Sequence, residues 1–223
     1  MVVAPNMPMT SGGTAVMAWR REPVDSLDFF PTPPWATRAL CEHVLGLTGD
    51  EADRKLTAWE PAAGEGHMAE VLREYFGSVQ TSDVHDYGKG YQVGSFVGAG
   101  PDVARHIVDW IITNPPFNLA LDFALRGLEL SLGGVALLTR TAWLEGGDRF
   151  TRLFSLRPPA TVALFSERVP MVKGHWDPRA SSATSYAWIV WEHGHRGDTR
   201  LTWIPPGQRK ALTRPDDVAR FAP

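Results

Sequence analysis

The sequence predicts an α/β domain built on a mostly parallel, seven-stranded sheet that ends in an antiparallel C-terminal hairpin. Three observations carry this expectation. Short apolar runs bounded by glycine and proline alternate with segments of helical spacing through the first 140 residues, the rhythm of strands joined by crossover helices. Two late runs, Tyr186–Trp191 and Leu201–Trp203, lie a short connector apart, as antiparallel partners do. With 223 residues, 43% of them hydrophobic and 21% charged, the chain can form one core of ordinary size.

The elements follow in order. Residues 1–20 are rich in Gly, Pro, Met and Thr without periodicity and read as a flexible segment, leaving 21–223 as a single domain. Pro31, Pro33 and Pro34 punctuate the next stretch, and Ala36–Leu45 then sets Ala36, Leu40 and Val44 on one helical face. Lys55–Glu60 reads as a strand, His67–Phe76 as a helix stopped by Gly77, and Ser78–Ser82 as a second strand. Ile107–Thr113 is a central strand ended by Pro115 and Pro116. A helix over Leu119–Leu132, stopped by Gly133 and Gly134, precedes strands at Val135–Thr139 and Ala160–Phe165. Residues 167–185 have no period; a loop this long within a domain is more often functional than idle.

Composition excludes several chemistries. The single cysteine, Cys41, allows neither an internal disulfide nor a thiolate cluster, and it reads as a small buried apolar residue. The seven histidines show no ligand spacing with Cys or carboxylates, so no metal is expected. No apolar run is long enough for a membrane span, and no leader pattern opens the chain, so the protein is expected to be cytoplasmic with no membrane partner. The net charge of -3 does not favour nucleic acid. Its distribution matters more: Arg140, Arg149, Arg152, Arg157, Arg168, Lys173 and Arg179 supply a basic stretch. Nine tryptophans are unusual: some are expected in the core, and so many suggest a ring-binding surface as well.

Two segments carry the chemistry. Trp59-Glu60-Pro61-Ala62-Ala63-Gly64-Glu65-Gly66-His67-Met68 joins a strand to a helix. Its two glycines permit close backbone approach to a ligand, and Asp83, at the end of the next strand, suits ribose hydroxyls. The third glycine of a dinucleotide fingerprint is missing, and Glu65 would repel a pyrophosphate, so a zwitterionic nucleoside fits better. A plain tight turn with a capping Asp83 remains open. In the second segment, Asp109-Trp110-Ile111-Ile112-Thr113-Asn114-Pro115-Pro116-Phe117, an apolar strand runs into two prolines. Asn114 and the Pro115 carbonyl offer two acceptors beside the flat ring of Phe117, a set that suits a planar base bearing an amino group. A turn with a core Phe117 is the alternative.

Together, Glu60–Gly66 and Asn114–Phe117 resemble the paired motifs of amino-group methyltransferases, particularly phage- and prophage-type N6-adenine DNA methyltransferases with an Asn-Pro-Pro-Phe motif. Phe30-Pro31-Thr32-Pro33-Pro34, Ala142–Gly146 and Ser185–Trp191 extend the likeness over roughly Phe29 to Pro206. The resemblance implies a Rossmann-like class I fold and S-adenosylmethionine as methyl donor. It also implies DNA with a flipped or unpaired adenine as substrate; RNA base amino groups and protein glutamine amides are the alternatives. Residue by residue, it implies cofactor contacts from Thr32, Pro33, Glu60, Ala62, Gly64, Gly66, Asp83 and Asn114. Ser95-Phe96, also expected at the cofactor, stands where the family often has an Asp-Phe pair whose Asp meets the cofactor's adenine amino group; Ser95 can still accept a hydrogen bond there. Asn114, Pro115, Pro116 and Phe117 would form the catalytic set, with Phe117 stacking on the base. In the 167–185 loop, Arg168, Lys173 and Arg179 could position phosphates, and Trp176 could stack or else tuck back against the sheet. So short a chain leaves little room for a separate recognition domain, so a short target site, relaxed specificity or a homodimer is expected.

Overall fold

A computed structural model describes residues 28–98 and 108–222. The expected flexible segment 1–20 and the first residue of the expected strand at Ile107 lie outside the described residues.

The chain enters through helix α1 (Pro34–His43), whose first-turn proline needs no hydrogen-bond partner. Strand β1 (Thr57–Glu60), helix α2 (His67–Leu72) and strand β2 (Ser78–Asp83) make the first crossover unit. A two-residue strand β3 (Gln92–Val93), strand β4 (Val108–Thr113), helix α3 (Ala120–Leu130) and strand β5 (Ser131–Arg140) follow. A short turn α4 (Gly147–Arg149) runs into a wider turn over Phe150–Phe154. Strands β6 (Thr161–Phe165), β7 (Tyr186–Glu192) and β8 (Arg200–Ile204) complete the sheet, and two short helices, α5 (Gln208–Leu212) and α6 (Asp217–Phe221), close the fold.

The described sheet has eight strands in the order β3-β2-β1-β4-β5-β7-β6-β8. Strand β7 runs antiparallel to both β5 and β6, while the other pairings are parallel. Both sheet faces are covered, and alternate residues of one strand serve opposite cores: Ile112, Trp188 and Val190 pack on one side, Ile111, Ile189 and Trp191 on the other. After β1 the chain winds outward to β2 and β3, then returns to the opposite side of β1 as β4. That reversal opens a crevice at the C-terminal ends of β1 and β4, where Glu60 and Asn114 emerge.

The mostly parallel α/β class stands, with corrections in detail. Among the described residues the sheet has eight strands rather than seven, because β3 is too short to show a pattern. Tyr186–Glu192 and Arg200–Ile204 do not pair as a hairpin: β6 lies between them. Strand β6 is buried through Thr161, Val162 and Ala163 and needs partners on both edges, whereas β8 exposes Leu201 and Trp203 and tolerates the sheet margin. Gly133 and Gly134 do not stop the preceding helix, which ends at Leu130; they lie inside β5. A Cβ on Gly134 would sit 2.1 Å from the Trp191 carbonyl oxygen, so the glycine permits close strand approach. The expected helix at His67–Phe76 is regular only to Leu72, where turns take over.

Most of the tryptophans serve the core: Trp35, Trp59, Trp176, Trp188 and Trp191 are buried. Cys41 is fully buried, and burial pushes its thiol up, away from nucleophilic use. Among the described residues, no helix is long and apolar enough to cross a membrane.

Candidate active site

The end of β1 delivers Glu60 into a cavity of about 350 Å³, at the small end of the range for small-molecule sites. Its walls come from the segment before α1 (Asp28–Thr32), the loop after β1 (Glu60–Ala63), the ends of β2 and β4 (Asp83, Asn114) and Ser95–Val97. Of the residues expected to meet a cofactor, Thr32, Glu60, Ala62, Asp83, Ser95, Phe96 and Asn114 line this one cavity. Pro33, Gly64 and Gly66 do not. Pro33 caps α1 and is buried.

The glycines approach aromatic rings. Gly64 (φ +54°) and Gly66 (φ +90°) adopt left-handed backbone, and a Cβ would fall 2.4 Å from the Phe29 ring at the first and 2.1 Å from the Tyr91 hydroxyl at the second. Asp83 ties the loop down, accepting the Gly64 N–H at 2.8 Å through Oδ2 and the His85 N–H at 3.0 Å through Oδ1. It therefore both buttresses the turn and lines the cavity. Phe96 is anchored edge-on against Trp59 at 5.2 Å and offers an apolar wall. The Ser95 hydroxyl donates to the Val97 carbonyl.

Among the described residues, three buried polar atoms on the cavity lining find no partner: Glu60 Oε2, His67 Nδ1 and Asn114 Oδ1. Burial pushes the Glu60 carboxyl well above its usual range, against a hydrogen bond from the Ala69 backbone and with added repulsion from Asp83. Burial also lowers His67, whose Nε2 meets the Phe221 carbonyl at 3.1 Å; neutral His67 donates through Nε2 and keeps Nδ1 as an acceptor. The histidine spacing that argues against a metal does not single out His67 as a site residue. Its place beside Gly66, at the start of α2, is the signal in the sequence that does.

At the mouth of the crevice, Asn114 donates from Nδ2 to the Phe30 carbonyl at 2.9 Å and lies 3.6 Å from Met171 Sδ. These contacts fix the amide so that Oδ1 is left over as an acceptor. The Phe117 N–H donates to Asp28 Oδ2 at 3.0 Å, its ring lies 5.4 Å from Phe30, and the Arg140 guanidinium sits 3.9 Å above the ring centroid. Pro116 lines the cavity; Pro115 is buried beside it.

The 167–185 loop reaches this mouth. Met171 touches Asn114, and the Gly174 N–H donates to the Phe29 carbonyl at 2.9 Å. Trp176 presents no ring to a partner: it is 3% exposed and packs edge-on against Phe221, anchoring the loop by burying apolar area. Arg168 donates to the Ser185 hydroxyl, and Arg168, Lys173 and Arg179 lie on the exposed surface of the loop.

The walls fit a nucleoside cofactor. Phe96 and Ala62 are apolar enough for a base, Asp83 carries carboxylate oxygens for ribose hydroxyls, and the orphaned acceptors at Glu60 and His67 want donors. Comparison with solved structures bears on the fold. The type I restriction-modification methyltransferase subunit from Streptococcus thermophilus superposes with a TM-score of 0.59 at 12% identity, covering 78% of this chain and 47% of that one. The M protein of the type I restriction enzyme EcoKI gives 0.56 at 12% identity, covering 84% and 51%. A Listeria monocytogenes protein assigned to the class I S-adenosylmethionine-dependent methyltransferases gives 0.54 at 12% identity, covering 87% and 70%. The chain has the class I methyltransferase fold. It spans about half the length of the two restriction-enzyme proteins. Neither a protein-family model nor a curated protein sequence matches it.

Proposed function

We propose that this protein transfers a methyl group from S-adenosylmethionine to the exocyclic N6 amino group of adenine in DNA. The observation that carries the reading is the orphaned Asn114 Oδ1, held at the C-terminal end of β4 beside a nucleoside-sized cavity, with an aromatic ring three residues on. The likeness to methyltransferase proteins of two type I restriction systems supports DNA as the substrate class.

The cofactor, when bound, supplies an electrophilic methyl group. Thr32, Glu60, Ala62, Asp83, Ser95 and Phe96 would hold it, with Gly64 and Gly66 giving the loop its turn. Glu60 and His67 would accept hydrogen bonds from donors on it. An aromatic amine attacks poorly because its lone pair is delocalised into the ring. Asn114 Oδ1 and the Pro115 carbonyl accept the two amino hydrogens, which localises the lone pair on nitrogen and holds it in line for attack. Pro115 and Pro116 stiffen the backbone carrying both acceptors, so they need no reorganisation as positive charge develops on the nitrogen. Phe117 supplies the stacking surface for a base taken out of its helix.

Incubation with labelled methyl donor and, separately, unmethylated DNA, RNA and protein extract, followed by mass spectrometry, tests the assignment. The expected product is N6-methyladenine in DNA. Label confined to RNA or to glutamine overturns the substrate, and no transfer to any of the three overturns the reading. Asn114→Ala should lower turnover by at least about 100-fold, in line with the loss of a preorganised polar group, while cofactor affinity measured by calorimetry stays within a few-fold. Near-normal turnover would remove Asn114 from the mechanism.

A further inference from the structure

The C-terminal end of β5 places Arg140 against the residue expected to receive the substrate. Its guanidinium carbon lies 3.9 Å from the Phe117 ring centroid, well within the range in which a cation is held by an aromatic face. Backbone pairing puts Arg140 opposite Tyr186, which is 5% exposed. Asp28 fixes the same ring from its backbone side by accepting the Phe117 N–H, and Phe30 packs beside it at a 42° tilt. Phe117 is thus held by Asp28, Phe30 and Arg140, and the last of these lays a planar, delocalised cation on its face.

A guanidinium and a purine make the same demand on an aromatic face: a flat, polarizable surface at stacking distance. They cannot both occupy it. We infer that Arg140 is a placeholder on the Phe117 platform, keeping the ring covered in the free protein and giving way when a target base enters. This inference rests on the proposed function, because it takes Phe117 to be the base platform. It assigns Arg140 a positioning role that nothing in the family resemblance supplies. Displacement costs the guanidinium–ring contact, so a base must offset that cost before its stacking counts as net affinity. A weakly stacking or poorly aligned base would then be held too briefly for transfer.

The test uses the full-length protein with its cofactor cavity filled by S-adenosylhomocysteine, so that a free base cannot bind there. Binding of 2-aminopurine deoxyriboside, which has no phosphate, is read by its fluorescence quenching. Arg140→Ala should tighten binding by about 2- to 5-fold, the strength of an exposed cation–aromatic contact; Arg140→Lys should fall between it and the unaltered protein. Phe117→Ala should abolish quenching, and adding Arg140→Ala to it should change nothing further. That non-additivity separates competition for the ring from a merely structural effect, which would move thermal stability without it. Unchanged or weaker binding in Arg140→Ala, with clear quenching in the unaltered protein, overturns the placeholder role alone. Quenching absent in every variant overturns the Phe117 platform and the placeholder with it, and failure of S-adenosylhomocysteine to bind overturns the proposed function on which both rest.

Discussion

Glu60 is a carboxyl group almost wholly withdrawn from solvent. It is 3% exposed, and Oε2 has no hydrogen-bond partner among the described residues. Burial raises its pKa, so the folded protein holds the proton more tightly than the unfolded chain. Its stabilising contribution is therefore full below the ordinary carboxyl range and is lost as pH rises through the raised value. A cofactor that brings donors to this oxygen reverses the preference, because hydrogen bonds to the carboxylate favour its ionised form. Binding should release a proton from Glu60 and weaken as pH falls. Calorimetry in two buffers of different ionisation enthalpy checks this, with Glu60→Gln abolishing the release. Identical proton exchange in both proteins would place the titrating group elsewhere. The position of Glu60 is legible from the strand, two glycines and helix that follow one another along the chain. Its protonation is not, because burial is a property of the packed cavity.

At the level of elements, the short C-terminal helices pack against α1 and the start of α2. Arg38 on α1 pairs with Glu74 at 2.8 Å and with Asp217 on α6 at 2.6 Å, and both Arg38 and Asp217 are essentially inaccessible to solvent. Burial alone would lower the Arg38 pKa, but hydrogen bonds to the two carboxylates more than offset it and the net direction is up, so the pair stays ionised. The same helix carries Phe221, whose ring lies 5.6 Å from His67 and whose carbonyl meets His67 Nε2. Asp217→Asn leaves the Arg38 charge without its buried partner and should cost about 3–5 kcal/mol, measured by urea unfolding at neutral pH. It should also weaken cofactor binding through His67. A loss below about 1 kcal/mol, the range of an exposed pair, would show that Glu74 suffices to neutralise Arg38 even while it also pairs with Arg214 and Arg220. None of this is legible in the sequence. Helices α5 and α6 span five residues each, too short for a period to appear, and the Arg38–Asp217 pair joins residues 179 positions apart. The longer elements α1, α3 and β4 fall near their expected places because their apolar spacing covers several residues.

For the molecule as a whole, the strand succeeding β1 and the prolines after β4 follow from local pattern, whereas the reversal that sets β4 on the other side of β1 is a matter of strand order, which no local pattern carries. The order of β6, β7 and β8 is not foreseeable either, because it depends on which strand can bear an exposed margin. Charge raises a similar question of arrangement, since with a net charge of -3 the chain would meet the polyanion of the proposed substrate only through local cations. The 167–185 loop is fastened to the site by Met171 and Gly174 and anchored by Trp176, while Lys173 and Arg179 lie on its exposed surface. The proposed role of these two cations is to meet phosphates flanking the target base. Their combined replacement, Lys173→Ala with Arg179→Ala, should lower DNA affinity without changing S-adenosylhomocysteine affinity. It should also reduce the slope of log affinity against log salt by up to about 2, roughly 0.9 for each phosphate that is no longer neutralised. Fluorescence anisotropy of a labelled duplex at salt concentrations from about 50 to about 200 mM, a span wide enough to resolve that slope, measures both quantities. An unchanged slope would assign the phosphate contacts to the other cations of the mouth and leave this loop as a cover for Asn114.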